Sequence, residues 1–268
     1  MAERAIIGLT DWLRTPAGRY VLQWEQTHLD TAVADLFGFH ALQLGLPELD
    51  ALRANRMPHR WVANETTAVP AADETGTPRI AIALHCDFDA LPFDSGSLDL
   101  VVLPHALELA RDPHLALREV ERVLVPEGRV VVVGFNPASL WGLRQRLGYW
   151  RQRLMMRAEP TLFLPSGGEF MRYRRLRDWL RLLSFEVEAG RFGCYRPPVG
   201  SDKWLSRFEW VERAGERWWP VFGAVYFVVA VKRVRGMRLV GLVRDQRKPV
   251  HAPAPVVATH HHIETERE

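Results

Sequence analysis

The hydrophobic pattern in the first half of the chain alternates between helical and strand-like periods. Residues 18–37 predict an amphipathic helix, because apolar residues recur near one face at Leu22, Leu29, Val33 and Leu36. Five strand-like segments follow: ALQLG at 41–45, HRWVAN at 59–64, RIAIAL at 79–84, LDLVVLP at 98–104 and RVVVVGF at 129–135. The last two are apolar throughout, which is typical of strands buried on both faces of a parallel sheet.

Helices and turns are predicted between these strands. Residues 47–55 predict a short helix that begins at Pro47, where the missing N–H of proline does no harm. Asp112 and Pro113 predict the start of another helix, with Leu117, Val120 and Leu124 on its inner side. The Pro-Glu-Gly sequence at 126–128 predicts a turn into the fifth strand.

The second half of the chain adds two more strands, FEVEAGRF at 185–192 and AVYFVVAVKR at 224–233, with no clear helix after the sixth strand. An antiparallel hairpin at one edge is therefore predicted. The fold class predicted is α/β, with a seven-stranded, mostly parallel, doubly wound sheet. Residues 1–235 form the predicted domain, residues 137–183 a helical cap insertion, and residues 236–268 a disordered tail rich in proline, alanine and charge.

Composition limits the classes of protein that fit. No apolar run approaches the roughly 20 residues of a spanning helix, and the N-terminus lacks the pattern of a secretory signal. Two cysteines, Cys86 and Cys194, are too few for a disulfide framework or a closed zinc site. We therefore expect a cytoplasmic protein without a metal site.

Positive charge is concentrated in one region of the chain. Ten arginines lie between residues 144 and 181, against three acidic residues. Such a run is usually a set of solvated helix faces, but it could also meet an anionic partner. Because basic helices rich in aromatic residues suit anionic headgroups, peripheral contact with an anionic membrane surface is one interpretation.

In an open parallel sheet, ligands bind beyond the carboxyl ends of the strands, where the strand order reverses. The residues at these ends are Gly45, Asn64, Glu65, the segment 86–89, Pro104, His105, Phe135 and Asn136. They are the candidate site residues.

Residues 85–137, HCDFDALPFDSGSLDLVVLPHALELARDPHLALREVERVLVPEGRVVVVGFNP, resemble the central block of class I S-adenosylmethionine-dependent methyltransferases. The nearest group is type 11, which includes the quinone-biosynthesis methyltransferases. The matching features are an acid at Asp87, the ALPF step at 90–93, Leu98-Asp99, the L-x-E-x-x-R-V-L helix at 117–124 and the Pro-Glu-Gly turn. The resemblance implies a Rossmann-like methyltransferase fold and S-adenosylmethionine as cofactor.

The resemblance also implies roles for single residues. Asp87 would accept a hydrogen bond from the adenine amino group, with Phe88 beside the base and Pro104 at the neighbouring strand end. Glu65, or otherwise Asn64, would hold the ribose hydroxyls. A carboxylate fits both tasks, because it only accepts hydrogen bonds and these groups donate them.

Gly45 matches the first glycine of the family's G-x-G-x-G loop, but Leu46, Pro47, Glu48 and Leu49 replace the rest. The loop is therefore degenerate. This cofactor has no pyrophosphate, so one glycine could suffice. The alternative is a non-catalytic, methyltransferase-like binding module.

The sequence favours a small, lipophilic or aromatic acceptor. The position after the fourth strand reads LPHA instead of the [DN]-P-P-[FYW] of nucleic-acid amine methyltransferases, so nucleic acid is disfavoured, although an RNA-modifying enzyme that uses the arginines is an alternative. His105 is the candidate general base, with a helix cap or core partner as the other interpretation. The oligomeric state is left open by the sequence.

Overall fold

The structure of the protein is a computed structural model that describes residues 3–65, 81–155, 163–165 and 170–233. All of them belong to one compact unit, Met1–Val234. The predicted tail at 236–268 and part of the predicted cap insertion lie outside the described residues.

Eight helices and a short 3₁₀ helix are found in the described residues. They are α1 (Glu3–Leu13), α2 (Pro16–Ala34), α3 (Ala106–Leu109), α4 (Pro113–Val123), α5 (Leu140–Met155), α6 (Tyr173–Leu182), α7 (Asp202–Arg207), α8 (Glu209–Trp218) and η1 (Pro220–Phe222). None of these helices is long and apolar enough to cross a membrane.

The strands form one seven-stranded sheet. They are β1 (His40–Leu44), β2 (His59–Asn64), β3 (Leu84–His85), β4 (Leu98–Pro104), β5 (Leu124–Phe135), β6 (Phe185–Gly193) and β7 (Val225–Lys232). Their order is β3-β2-β1-β4-β5-β7-β6. Neighbouring strands from β3 to β5 run parallel, and β7 pairs antiparallel with both β5 and β6. The predicted fold class is confirmed, including the antiparallel strands at one edge.

Apolar clusters cover the two faces of the sheet. One cluster joins α1 and α2 to the sheet through Leu13, Val21 and Leu29, which are buried. The other joins α4 and α6 to the opposite face through Leu117 and Leu176. The helix predicted from Asp112 is confirmed. Asp112 is its N-cap, and its side chain accepts hydrogen bonds from the N–H groups of His114 and Leu115.

Three sequence predictions are wrong in detail. The turn expected at 126–128 lies inside β5, which begins at Leu124 instead of residue 129. Residues 47–55 form turns instead of a helix, because the chain wraps around the buried side chain of Gln43. Within the described residues the third strand is Leu84–His85, whereas 79–84 was expected, and residues 79 and 80 lie outside the described residues. The apolar residues of that segment overstated its length, because β3 lies at the edge of the sheet, where it pairs with β2.

Candidate active site

The strand order reverses between β1 and β4, and the loops beyond these two strands meet there. Gly45 follows β1 with a φ of 77°. A Cβ built on it would lie 3.6 Å from Phe88 Cζ and 3.7 Å from Ala106 Cβ. Residues that follow β1, β3 and β4 therefore converge at one point. The surrounding space would admit a methyl group at residue 45. The left-handed backbone, and not crowding, is therefore what favours glycine there.

The loop after β1 is held by Gln43, a residue that the sequence analysis did not select. Its buried side-chain Nε2 donates to the carbonyl oxygens of Gly45, Leu46 and Leu49 at 3.1, 3.0 and 2.8 Å. Its Oε1 accepts from the Ala51 N–H at 3.0 Å. One amide thus fixes both sides of a loop that has lost most of its glycines. The only signal in the sequence is a polar residue inside an apolar strand.

Glu65 and Asp87, the acids that follow β2 and β3, lie within electrostatic reach of each other. Burial and the charge of Asp87 raise the pKa of Glu65, and nearby Arg111 opposes that rise. The same two carboxylates, together with burial, raise the pKa of the Cys86 thiol to about 11. The carboxylate of Asp87 is exposed. This edge of the sheet is acidic and suits a ligand that donates hydrogen bonds or carries positive charge.

The remaining predicted cofactor residues lie close by but are less accessible. Phe88 is buried beneath the loops, with its ring edge toward Gly45. Asn64 is also buried, and its Oδ1 accepts the Glu65 N–H at 2.9 Å. Glu65 is therefore better placed than Asn64 to meet a ligand. Pro104 is buried at the end of β4.

The helix motif that carries part of the family resemblance supports the loop after β3. Arg122 donates to the carbonyl oxygens of Leu91 and Phe93, each at 2.9 Å. Glu119 accepts from the Leu91 N–H at 3.2 Å and pairs with Arg122 at 2.8 Å. The three-residue spacing of Glu119 and Arg122 within the helix therefore lets both side chains bind the backbone of the ALPF step.

His105, the predicted general base, is fully buried between two carboxylates. Its Nε2 lies 2.8 Å from Oε1 of Glu25 on α2, and its Nδ1 lies 2.9 Å from Oε2 of Glu108 on α3. The ring of Phe135 packs against it with centroids 4.4 Å apart. Both ring nitrogens are therefore engaged. The general-base role stays a prediction, and this geometry favours a positioning role.

The charge state of this cluster follows from its partners. Burial alone lowers the pKa of His105, but the carboxylates of Glu25 and Glu108 outweigh burial and raise it to about 10. Burial raises the pKa of Glu108, against the opposing charge of His105 and the Phe135 N–H that it accepts. Oε2 of Glu25 has no hydrogen-bond partner among the described residues. At neutral pH the cluster therefore holds an imidazolium ion in the interior.

Beyond the end of β5, two adjoining cavities open. One has a volume of about 500 Å³ and is lined mainly by apolar residues, among them Pro137, Leu143 and Phe222. The other has a volume of about 440 Å³ and is lined by Arg146, Arg172, Arg174 and Arg177 together with aromatic rings. Part of the predicted arginine patch therefore faces a cleft.

Comparison with known proteins identifies the fold. Residues 55–132 match the type 11 family model described as "Methyltransferase domain". The partner of the Trm112 methyltransferase activator in a complex from Haloferax volcanii aligns with a TM-score of 0.56 at 19% identity, covering 87% of this chain and 99% of that one. An S-adenosylmethionine-dependent methyltransferase from Mesorhizobium loti aligns with a TM-score of 0.51 at 17% identity, covering 77% and 97%. The chain has the class I methyltransferase fold.

Among curated proteins, the uncharacterized protein YafS of Escherichia coli is 27% identical over 239 residues, which covers 89% of this chain and 87% of YafS. The malonyl-[acyl-carrier protein] O-methyltransferase of Halorhodospira halophila is 42% identical over 66 residues, which covers 25% of this chain and 21% of that enzyme. The resemblance to the class I, type 11 methyltransferases is thereby confirmed, with Gly45 alone remaining of the glycine loop.

Proposed function

We propose that this protein transfers a methyl group from S-adenosylmethionine to a small, lipophilic or aromatic acceptor. One observation carries the proposal: Glu65 and Asp87 lie together beyond β2 and β3, beside the point where Gly45, Phe88 and Ala106 converge. This is the position in which an open parallel sheet binds its ligand.

The residues present fit this cofactor. Asp87 is exposed and could accept a hydrogen bond from an adenine amino group, and the half-buried Glu65 could accept from ribose hydroxyls. The acidic edge suits the positive charge of a sulfonium ion. Gln43 keeps the loop at 45–51 in one conformation, so the pocket does not depend on further glycines. When bound, the cofactor supplies an already activated methyl group, and the protein has mainly to position the acceptor.

The acceptor would approach from the side of β4 and β5. The apolar cavity beyond β5 supports a lipophilic or aromatic compound, because its lining includes Leu140, Leu143 and Trp219 and no acidic residue among those described. His105 lies under this side of the sheet, where its ion pairs fix α2 against β4. We assign it to positioning the wall of the acceptor site.

A non-catalytic binding module is the second candidate, and the burial of His105 favours it, since the histidine that directly follows β4 has no access to an acceptor at the surface. Titration calorimetry with S-adenosylmethionine and S-adenosylhomocysteine separates the two candidates. We expect binding of both forms in the micromolar range and a rise in melting temperature with each. If neither heat nor a thermal shift appears at high micromolar concentration, the enzyme is ruled out and the non-catalytic module replaces it.

A further inference from the structure

Helix α5 has one buried side and, opposite to it, an exposed apolar side. Trp141 and Gln145 face the interior and are buried, and the Gln145 side chain binds the backbone of residues 163 and 164. On the other side, an apolar stripe at a spacing of three, four and three residues is between 50% and 62% exposed and consists of Leu140, Leu143, Leu147 and Trp150. A helix that merely packs on a domain needs only the first of these sides.

Two residues much later in the chain, Trp219 and Phe222, extend the exposed stripe. Trp219, which follows α8, and Phe222 of η1 line the 500 Å³ cavity together with Leu140 and Leu143, and both are exposed. We call these six residues the apolar face: Leu140, Leu143, Leu147, Trp150, Trp219 and Phe222. Contiguous exposed apolar surface of this kind marks an interaction site.

Positive charge borders the apolar face. The arginine cleft, defined by Arg146, Arg172, Arg174 and Arg177, shares Ala138, Arg146 and Phe222 with the apolar cavity. No acidic residue is among the described residues that line either cavity. Nε of Arg177 is buried, lies 4.0 Å from Oδ1 of Asp178 and makes no hydrogen bond within the described residues. A partner that is apolar and negatively charged at once would match both features.

We propose that the apolar face docks on the surface of an anionic lipid bilayer, with α5 lying in the plane of the interface and the arginine cleft at the level of the headgroups. Tryptophan and leucine beside arginine is the composition of helices that bind such surfaces. A second copy of this chain fits less well, because a symmetric contact would bring the arginine clefts together. A nucleic acid would leave the leucine stripe unmatched. The apolar face shares Leu140, Leu143 and Trp219 with the cavity assigned above to the acceptor, but docking needs no cofactor and is tested without one.

Vesicle flotation of the full chain tests the proposal. We expect the protein to float with vesicles of phosphatidylglycerol and phosphatidylcholine at low salt, and to bind less as the salt concentration rises. On vesicles of phosphatidylcholine alone, binding should be much weaker. The intrinsic tryptophan emission should shift to shorter wavelength on binding, because Trp150 and Trp219 leave water.

Paired variants locate the contact. The double variant Trp219→Ser, Phe222→Ser should lower the partition coefficient by at least about ten-fold, because two large apolar side chains no longer leave water. Arg146→Ala should lower it by about five-fold, on the scale of one basic residue near an anionic surface. Phe37→Ser and Arg118→Ala are the matched controls, since both side chains are exposed in other parts of the fold. Melting temperatures check that every variant is folded.

Four outcomes would overturn the proposal. The first is no flotation with anionic vesicles at low salt. The second is equal loss of binding in the control variants. The third is a dimer in light scattering that the serine double variant dissociates while vesicle binding is absent, which would assign the apolar face to a second copy of the chain. Tight RNA binding without vesicle binding would assign the arginine cleft to nucleic acid and would equally reject it.

Discussion

The two halves of the sheet's carboxyl edge use the same kinds of residue in opposite ways. Beyond β2 and β3, Asp87 is exposed and Glu65 is half-buried, and the charge of Arg111 opposes the rise in the pKa of Glu65. Beyond β4 and β5, Glu25 and Glu108 are buried, and both bind the ring of His105, which lies between them. Exposed carboxylates remain free to meet a ligand, whereas buried ones serve the fold. Solvent access therefore decides which acids are candidates for binding.

We expect the largest effect on the free energy of unfolding when a buried acid is removed. Glu25→Leu leaves the charged His105 with one partner, and we expect a loss of about 3–5 kcal/mol in the free energy of unfolding. Urea unfolding measures it. Glu209→Leu removes an exposed glutamate on α8 and should change that free energy by less than about 0.5 kcal/mol. Equal midpoints for Glu25→Leu and the unmodified protein would show that the buried ion pair contributes nothing.

The loop that joins the two halves depends on Gln43. Gln43→Leu leaves the buried Ala51 N–H and several carbonyl oxygens without their partner, and we expect a loss of about 2–3 kcal/mol. Cofactor affinity should fall as well, since the loop at 45–51 is no longer fixed. Gln23→Leu, at an exposed position on α2, is the matched control. A Gln43→Leu protein with unchanged unfolding and unchanged affinity would show that the loop is held by other contacts.

On the exposed side, the effect should appear in binding instead of in stability. Asp87→Ala should weaken S-adenosylmethionine by about 1.5–3 kcal/mol, the scale of a hydrogen bond to a charged group, with little change in melting temperature. Calorimetry measures the affinity. Asp94→Ala replaces an exposed acid of the next turn and should leave the affinity unchanged. Similar affinities for both variants would remove Asp87 from the site.

The smallest change, counted per pH unit, is expected in the pH dependence of stability. The pKa of His105 is raised to about 10 by Glu25 on α2 and Glu108 on α3, so the folded state binds a proton that the unfolded chain releases near pH 6.5. The resulting stability is fully present below pH 6.5 and is lost as the pH rises through about 10. The free energy of unfolding should fall by at most about 1.4 kcal/mol per pH unit in that interval. His105→Gln should flatten the profile, and an unchanged slope in this variant would contradict the assignment.

The sequence predicted most of the fold because its signals are local. The continuous apolar strands β4 and β5 and the Asp112 cap are short-range patterns, and the structure confirms them. The helix expected at 47–55 does not form, because the side-chain amide of Gln43 binds the turn from inside the sheet. It accepts the N–H of Ala51, eight residues later in the chain. Propensity cannot register such a contact.

The candidate site was predictable only where it follows strand ends. Gly45, Glu65 and Asp87 were selected by position, since the ends of parallel strands share one edge, and their roles stay predictions. Glu25 was missed because it comes from a helix and pairs with a residue 80 positions later. One signal was present, because Val21, Glu25, Leu29 and Val33 recur every four residues on the buried face of α2. A single acid in such a stripe indicates a buried partner.

The contacts that α2 makes also decide at which residue a shortened form of the protein could begin and still fold. The family match begins at residue 55, after β1 and after the helix that carries Glu25. A shortened gene that started there would encode a sheet without the strand between β2 and β4. It would also leave one side of the His105 imidazolium without its carboxylate. The segment before residue 55 thus supplies a central strand and one partner of a buried ion pair to the fold, and the gene has to be expressed with it.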